Sequence, residues 1–176
     1  MAALRTQEIE KLIELVGADV YRFCLRMTQC QADAEDLYQQ TFLKLCEMKK
    51  EIDWADNPRS FVLSVAALTE KSNRRRYARR QRLAPQVGIP EDFDLAEDTF
   101  STEGIILNKE EQLAVRRAVN ALEERLKTSV VLYYTLEMPV EEIAETLNIP
   151  VGTVKSRLYK ARKKLMKRME EWGYAG

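Results

Sequence analysis

The chain has 176 residues, of which 45% are hydrophobic, and its 28 basic and 28 acidic residues leave no formal net charge. This length suits one ordinary domain or two small ones. The absence of histidine excludes histidine metal ligands and histidine general bases, and no CxxC spacing occurs. The sequence contains no apolar run long enough to span a bilayer and no signal peptide, which predicts a cytoplasmic protein. Reduced, buried thiols are therefore expected at Cys24, Cys30 and Cys46.

The charges are segregated along the chain. Residues 71–82 carry only basic charges, residues 91–111 are predominantly acidic, and residues 155–168 are basic again. Two cationic blocks on either side of an acidic segment indicate two nucleic-acid contacts joined by a linker. Helical periodicity dominates and alternating strand-like runs are scarce, so the predicted fold class is all-α.

Two amphipathic helices are predicted before residue 50. The first spans Glu8–Met27, and the second spans Asp33–Met48 with Asp33 as its N-cap. The outward face of the second helix comprises Asp36, Gln39, Gln40, Leu43 and Glu47. An apolar Leu43 among polar residues favours a partner surface. A single exposed leucine is also common on ordinary protein surfaces.

A loop that contains Trp54 precedes a third helix, for which Asn57 is the expected N-cap and Pro58 the first helical residue. This helix is apolar at its start and cationic at its end. The basic residues of its end are Lys71, Arg74, Arg75, Arg76, Arg79 and Arg80. Two or three would complement the helix dipole. The larger number, with Tyr77 among them, favours contact with a phosphate backbone.

Residues 83–108 contain three glycine or proline breaks before residue 91 and most of the acidic excess. This composition predicts a flexible acidic linker between a domain at 1–82 and a domain at 109–176. Fully extended, the linker would reach about 85–95 Å, so the two domains could occupy separate parts of a larger surface. A disordered spacer without a role of its own is the other interpretation.

Four helices are predicted in the second domain. Lys109–Leu122 and Leu126–Leu136 precede a helical pair, in which Val140–Leu147 is followed by a helix that opens near Pro150. Asn148 suits the left-handed conformation that ends the first member of the pair. The buried stripe of the last helix comprises Val154, Leu158, Ala161 and Leu165.

The exposed side of this last helix is cationic, because no acidic residue occurs from Lys155 to Arg168. A tight turn followed by such a helix is typical of helix-turn-helix domains that enter the major groove. A solvated basic helix in an ordinary bundle is the alternative. The helix-turn-helix interpretation places four residues near base edges: Thr153, Ser156, Arg157 and Lys160. It assigns phosphate contacts to Lys155, Lys163 and Lys164.

Two segments carry a resemblance to a known family. YRFCLRMTQCQADAEDLYQQTFLKL, at residues 21–45, resembles region 2 of small bacterial sigma factors of the extracytoplasmic-function (ECF) type, within the sigma-70 family. EEIAETLNIPVGTVKSRLYKAR, at residues 141–162, resembles their region 4. The resemblance implies a region 2 bundle at 1–82 and a region 4 helix-turn-helix at 109–176. It further implies a non-enzymatic protein without cofactor or metal, which binds core RNA polymerase, recognises two promoter elements and assists DNA melting.

The resemblance also implies roles for individual residues. The outward face of the second helix would contact the clamp helices of the largest polymerase subunit, which would explain the exposed leucine. This contact would comprise Asp36, Gln39, Gln40 and Leu43. The loop before Pro58 and the residues Arg59 and Phe61 correspond to the segment that captures a flipped base. Trp54 could stack on that base, or could anchor the loop to the core.

Three positions depart from the family pattern. Gln40 stands where Glu is usual, Phe61 where Trp is common, and Leu68 where Asn is frequent. The first departure concerns the clamp contact, and the other two concern melting. The resemblance also implies a cognate anti-sigma factor, no direct membrane insertion, and a monomeric free state.

Two other classes are alternatives. A helix-turn-helix transcriptional regulator would need an N-terminal sensor or receiver domain, and the first half of the chain has no alternating strand–helix pattern for one. An adaptor or anti-sigma-like interaction module would use the face around Leu43 but leaves the cationic last helix unexplained. An enzyme has less support, because no phosphate-binding glycine loop, metal cluster or nucleophile–base set is present.

Overall fold

The computed structural model describes residues 2–48, with side chains from residue 6, together with residues 53–54, 56–85 and 108–174. Within these ranges the chain is helical and contains no strand, which confirms the all-α class. The helices are α1 (Ala2–Met27), α2 (Gln31–Glu47), α3 (Pro58–Leu83), α4 (Lys109–Asn120), α5 (Glu124–Val130), α6 (Val140–Leu147) and α7 (Val151–Glu171). A π-helical turn, Val131–Thr135, follows α5.

The chain divides into two compact units, Met1–Asp94 and Leu95–Gly176, called unit 1 and unit 2 below. The predicted domain bounds of 1–82, 83–108 and 109–176 stay a prediction. Most of the predicted acidic linker, residues 86–107, lies outside the described residues.

Unit 1 is a three-helix bundle in which α1, α2 and α3 each pack against the other two. Its core contains Leu12, Val20, Phe23, Leu37 and Leu63, all of them almost fully buried. Each such side chain contributes roughly 1.5–3 kcal/mol when it is removed from water. The helical periodicity that predicted α1 and α2 therefore corresponds to a real apolar interior.

The start of α2 differs from the prediction. The helix begins after Cys30, whose Sγ accepts a hydrogen bond from the Asp33 backbone N–H at 3.4 Å. Asp33 lies in the first turn, where its charge suits the helix dipole, so its assignment as the N-cap was wrong. The expectation of buried thiols holds only for Cys24, because Cys30 is partly exposed and Cys46 is exposed. Burial raises the pKa of the Cys24 thiol to about 12.

The start of α3 confirms the prediction. The Asn57 side chain accepts a hydrogen bond from the Ser60 backbone N–H at 3.1 Å, and Pro58 occupies the first turn. Farther along, Arg74 Nη2 donates to the Met27 carbonyl at 3.0 Å and thereby ties α3 to the end of α1. Residues 75–80 beyond this tie are all exposed. The cationic end of α3 therefore begins where the packing of the bundle ends.

Unit 2 contains α4 to α7. A capping box opens α4, since Asn108 Oδ1 accepts from the Glu111 N–H at 2.8 Å and the Glu111 carboxylate accepts from the Asn108 N–H at 3.0 Å. The predicted helix at Leu126–Leu136 is present but is not α-helical throughout, because α5 changes into the π-helical turn at Val131. The core of the unit includes Leu126, Leu132, Met138, Ile143 and Leu158.

The turn between α6 and α7 has the predicted geometry. Asn148 adopts a left-handed conformation with φ 51° and ψ 52°. Pro139 and Pro150 are the N-cap residues of α6 and α7 and directly precede the first residue of each helix. The predicted stripe of α7 is buried at Val154, Leu158 and Ala161 and partly buried at Leu165. The opposite side of α7 is thereby presented to solvent.

Candidate polymerase and nucleic-acid interface

The outward face of α2 is exposed at three of its four predicted contact positions. Asp36 and Gln39 are exposed, and 60% of the Leu43 surface is accessible. Gln40 is half-buried: its Nε2 donates to the Asp36 carboxylate at 2.6 Å, and its Oε1 accepts from Asn73 Nδ2 at 2.9 Å. Gln40 therefore joins α2 to α3 and orients the carboxylate of Asp36, in addition to any contact that it makes with polymerase.

Trp54 is packed against α1. The Lys11 ammonium lies 4.4 Å from the centroid of the indole ring, a cation–π contact. The side chain is half-buried. One of the two predicted roles, anchoring the loop, is thus visible in the described residues, and stacking on a base would require a face that Lys11 does not cover.

The two predicted contact residues at the start of α3 are also partly engaged within unit 1. Arg59 Nε donates to Asp19 Oδ2 at 2.7 Å, and Asp19 also pairs with Arg22. Phe61 is half-buried. Because Asp19 lies on α1, this ion pair fixes the beginning of α3 on the first helix.

The cationic end of α3 is divided by its contacts. Arg74 Nε donates to the buried Glu70 carboxylate at 2.7 Å, so its charge is matched inside the bundle. The other five predicted residues of this end are exposed: Lys71, Arg75, Arg76, Arg79 and Arg80. Tyr77, 61% exposed, stands among them. Exposed guanidinium groups around an aromatic ring suit a nucleic-acid backbone and its bases.

The predicted recognition residues follow the exposed side of α7. Five of them are exposed: Lys155, Ser156, Lys160, Lys163 and Lys164. Thr153 and Arg157 are half-buried. Tyr159, which is not among the predicted contact residues, is 64% exposed between the cations. This surface offers hydroxyl, ammonium, guanidinium and aromatic groups, which are the groups that read base edges and hold phosphates.

Two charged residues, Glu123 before α5 and Arg125 within it, adjoin this cationic surface. Lys164 Nζ donates to Glu123 Oε1 at 2.6 Å, and Arg125 Nη2 donates to Glu123 Oε2 at 3.0 Å. The hydrogen bond from Lys164 is the main reason that the pKa of Glu123 is lowered. Burial and then the nearby charge of Arg125 lower the pKa of Arg157. No spacing in the sequence brings residue 123 to residue 164, so sequence reasoning missed both Glu123 and Arg125.

Within the described ranges, no group of three or more cysteine or acidic side chains is arranged to hold a metal ion. None of the helices in the described part of the chain is long and apolar enough to cross a membrane.

Comparison with known families decides between the classes. Residues 12–81 match the model of sigma-70 region 2, and residues 112–165 match that of sigma-70 region 4. The chain belongs to the sigma-70 family. It is 26% identical over 164 residues to the ECF RNA polymerase sigma factor SigW of Bacillus subtilis, a match that covers 91% of this chain and 88% of SigW. It is 27% identical over 175 residues to the ECF sigma factor SigL of Mycobacterium tuberculosis, with 98% and 94% covered.

The fold of this sigma factor is also shared with a solved structure. The sigma factor RpoE of Bartonella quintana, determined in complex with the anti-sigma factor NepR, superposes with a TM-score of 0.73 at 20% sequence identity. The superposition covers 93% of this chain and 98% of RpoE. The chain is an ECF-type sigma factor, which serves promoter-specific initiation of transcription.

Proposed function

We propose that this sigma factor binds core RNA polymerase through unit 1 and promoter DNA through both units, with no enzymatic activity or cofactor of its own. The observation that carries the proposal is the presence of two exposed cationic helices, the end of α3 and α7, on two separate helical units. Two such surfaces suit a protein that contacts two promoter elements better than a conventional regulator that binds one operator. Because RNA polymerase acts on the chromosome, the proposal places the protein in the cytoplasm.

The proposed polymerase contact is the outward face of α2, against the clamp helices of the largest subunit. Its direct contacts are Asp36, Gln39 and Leu43, while Gln40 supports Asp36 through the 2.6 Å hydrogen bond. Exposed leucine at the centre of a polar patch suits a partner pocket that is rimmed by basic residues. This arrangement favours a specific docking face over an ordinary solvated helix.

The proposed contact with the melted promoter element combines the Trp54 loop with α3. Trp54 would offer its free face to an extruded base, beside Arg59 and Phe61, and binding of that base offsets an unstacking energy of a few kcal/mol. The nearby backbone would be held by Lys71, Arg75, Arg76, Arg79 and Arg80. Arg74 contributes instead by fastening α3 to α1, since its guanidinium already binds Glu70 and the Met27 carbonyl.

The proposed contact with the distal element is α7 in the major groove. Base edges would be read by Thr153, Ser156, Arg157 and Lys160, and phosphates would be held by Lys155, Lys163 and Lys164. The buried stripe supports this orientation, because it fixes which side of α7 faces unit 2 and which side faces DNA.

We also propose regulation by an anti-sigma factor and a monomeric free state. The sigma factor RpoE was solved in complex with the anti-sigma factor NepR, and CnrH, which has the same fold, was solved in complex with the cytosolic domain of CnrY. A regulator of this kind would cover the Leu43 face and so compete with polymerase.

The proposed function is tested by transcription in vitro. Core RNA polymerase is supplied with genomic fragments, with and without the full chain, and the 5′ ends of the transcripts are mapped. Discrete start sites that depend on the protein support the proposal and reveal both promoter elements. Absence of such transcripts, together with a footprint of the free protein on duplex DNA, would establish a conventional regulator instead.

A further inference from the structure

On the flank of α7 that faces α5, one carboxylate holds two cations. Glu123 Oε1 accepts a hydrogen bond from Lys164 Nζ at 2.6 Å. Glu123 Oε2 accepts from Arg125 Nε at 3.2 Å and from Arg125 Nη2 at 3.0 Å. Lysine and arginine bind the two free oxygens of a phosphodiester with the same charge-assisted geometry. The carboxylate thus stands where a phosphate could bind.

Arg157 adds a third cation to this flank. It precedes Lys164 by seven residues on α7, so the two side chains share one side of the helix and are separated by about 10 Å along its axis. Arg157 is half-buried, and its pKa is lowered by that burial and by the charge of Arg125. Two neighbouring guanidinium groups repel each other, and an anion placed between them would offset that repulsion. Arg157 therefore adds positive charge beside the two cations that Glu123 holds.

We infer that Arg125 and Lys164 form a site for one backbone phosphate of duplex DNA, and that Glu123 occupies this site until DNA displaces it. The inference rests on the proposed function of α7. Lys160, a predicted base-reading residue, lies one turn from both Arg157 and Lys164 on the adjoining strip of α7. A duplex that receives Lys160 in its major groove carries a strand of phosphates along the flank of the helix.

The occupied site has a functional consequence. DNA must compete with Glu123 for Lys164 and Arg125, so the internal carboxylate lowers the affinity of unit 2 for any duplex. Phosphate contacts carry no sequence information, so the competition lowers the affinity for cognate and unrelated sequences alike. Glu123 would thereby shorten the time that unit 2 stays bound to any duplex, whether promoter or not.

The matched pair Glu123→Gln and Glu124→Gln tests this inference, because both variants remove one negative charge at neighbouring positions. Holoenzyme reconstituted with each full-length variant is titrated with a duplex promoter fragment between 50 and 200 mM salt. Glu123→Gln is expected to bind about two- to fivefold tighter, the range of one exposed ion pair, with a salt slope steeper by about 1. Glu124→Gln should stay close to wild type.

Arg125→Ala provides the opposite change. It should weaken binding and reduce the salt slope by about 1. In the Arg125→Ala background the gain from Glu123→Gln should shrink, because one of the two cations that the carboxylate restrains is gone. Thermal unfolding of each variant establishes that the fold is retained, as expected for exposed ion pairs.

An unchanged affinity and salt slope for a folded Glu123→Gln variant would overturn the inference and leave an ordinary surface ion pair. Weaker binding by this variant would overturn it as well, because Glu123 would then itself contact DNA favourably. Either result, obtained while the wild-type protein still directs specific transcription, contradicts the phosphate site alone. Failure of the wild-type protein to direct transcription would contradict the proposed function.

Discussion

The two cationic helices of this sigma factor carry similar charge in different surroundings. In α3 the last buried residue is Glu70, and the arginines beyond Arg74 project from a stretch of helix, residues 75–80, that is exposed on all sides. In α7 the buried stripe continues to Ala161, so its cations share one fixed face. Charge without a fixed orientation suits phosphates, whereas charge on a fixed face can be aligned with base edges. The comparison predicts affinity from α3 and sequence discrimination from α7.

The largest expected effect comes from removing the charge of α3. Combined replacement of Arg75, Arg76, Arg79 and Arg80 by alanine should weaken promoter binding by the holoenzyme on the order of a hundredfold and reduce the salt slope by about 3–4. The loss should be equal on cognate and scrambled DNA, as measured by equilibrium titration. A loss of affinity confined to the cognate promoter would show that α3 reads sequence, and it would contradict the predicted difference between α3 and α7.

A smaller effect distinguishes the proposed polymerase-binding face of α2 from the cationic end of α3, both of which belong to unit 1. Leu43→Ala should weaken the affinity for core polymerase about tenfold, because burial of a leucine against a partner contributes roughly 1.5–3 kcal/mol. Leu15→Ala is the matched control, since Leu15 on α1 is 61% exposed and Leu43 is 60% exposed. Fluorescence titration of labelled protein with core polymerase measures both. Equal losses of affinity for the two variants would contradict the assignment of the outward face of α2 to polymerase binding.

The third effect lies within α7 and concerns preference rather than affinity. Lys160→Ala should relax discrimination at one base pair of the distal element, by about 1–3 kcal/mol if its contact with guanine is a good one. Lys163→Ala should weaken binding to every duplex by a similar factor. Competition between cognate and singly substituted duplexes measures the difference. Indistinguishable specificity profiles for the two variants would contradict the division into base-reading and phosphate-holding lysines.

The helix ends show how far local sequence determines the fold. Asn57 with Pro58, and Asn148 at the left-handed turn, were predicted because their side chains or ring fix the local backbone. Cys30 was missed as a cap because sulfur is a weak acceptor and Asp33, three residues on, is a stronger candidate by composition. The π-helical turn after Val130 was missed because the apolar pattern there also fits a regular helix.

The candidate site shows the corresponding limit for function. The exposed cations of α3 and α7 were predictable, since each depends on the periodicity of its own helix. The contacts of Arg59 with Asp19, of Arg74 with Met27 and of Lys164 with Glu123 were not, because they join segments that are distant in sequence. These internal contacts change the expected role of each side chain: Arg74 becomes a tie between helices, and Lys164 becomes a cation whose charge is partly matched before DNA arrives.

The smallest expected effect concerns the connection between the polymerase face and α3. Gln40→Ala removes the hydrogen bonds to Asp36 and Asn73, at 2.6 and 2.9 Å, and should lower the free energy of unfolding by about 1 kcal/mol. Gln39→Ala, at the exposed neighbouring position, should change it by less than about 0.5 kcal/mol. Chemical unfolding of the full chain measures both.

This last pair of variants also decides what the glutamine at position 40 does for unit 1. If Gln40 braces α3 against α2, its loss should increase the amide hydrogen exchange of α3 near Asn73, and Gln39→Ala should not. Equal stability and equal exchange for the two variants would contradict the bracing role and return Gln40 to the polymerase contact alone. The position of the cationic end of α3 would then depend on Arg74, whose hydrogen bond to the Met27 carbonyl joins α3 to the end of α1.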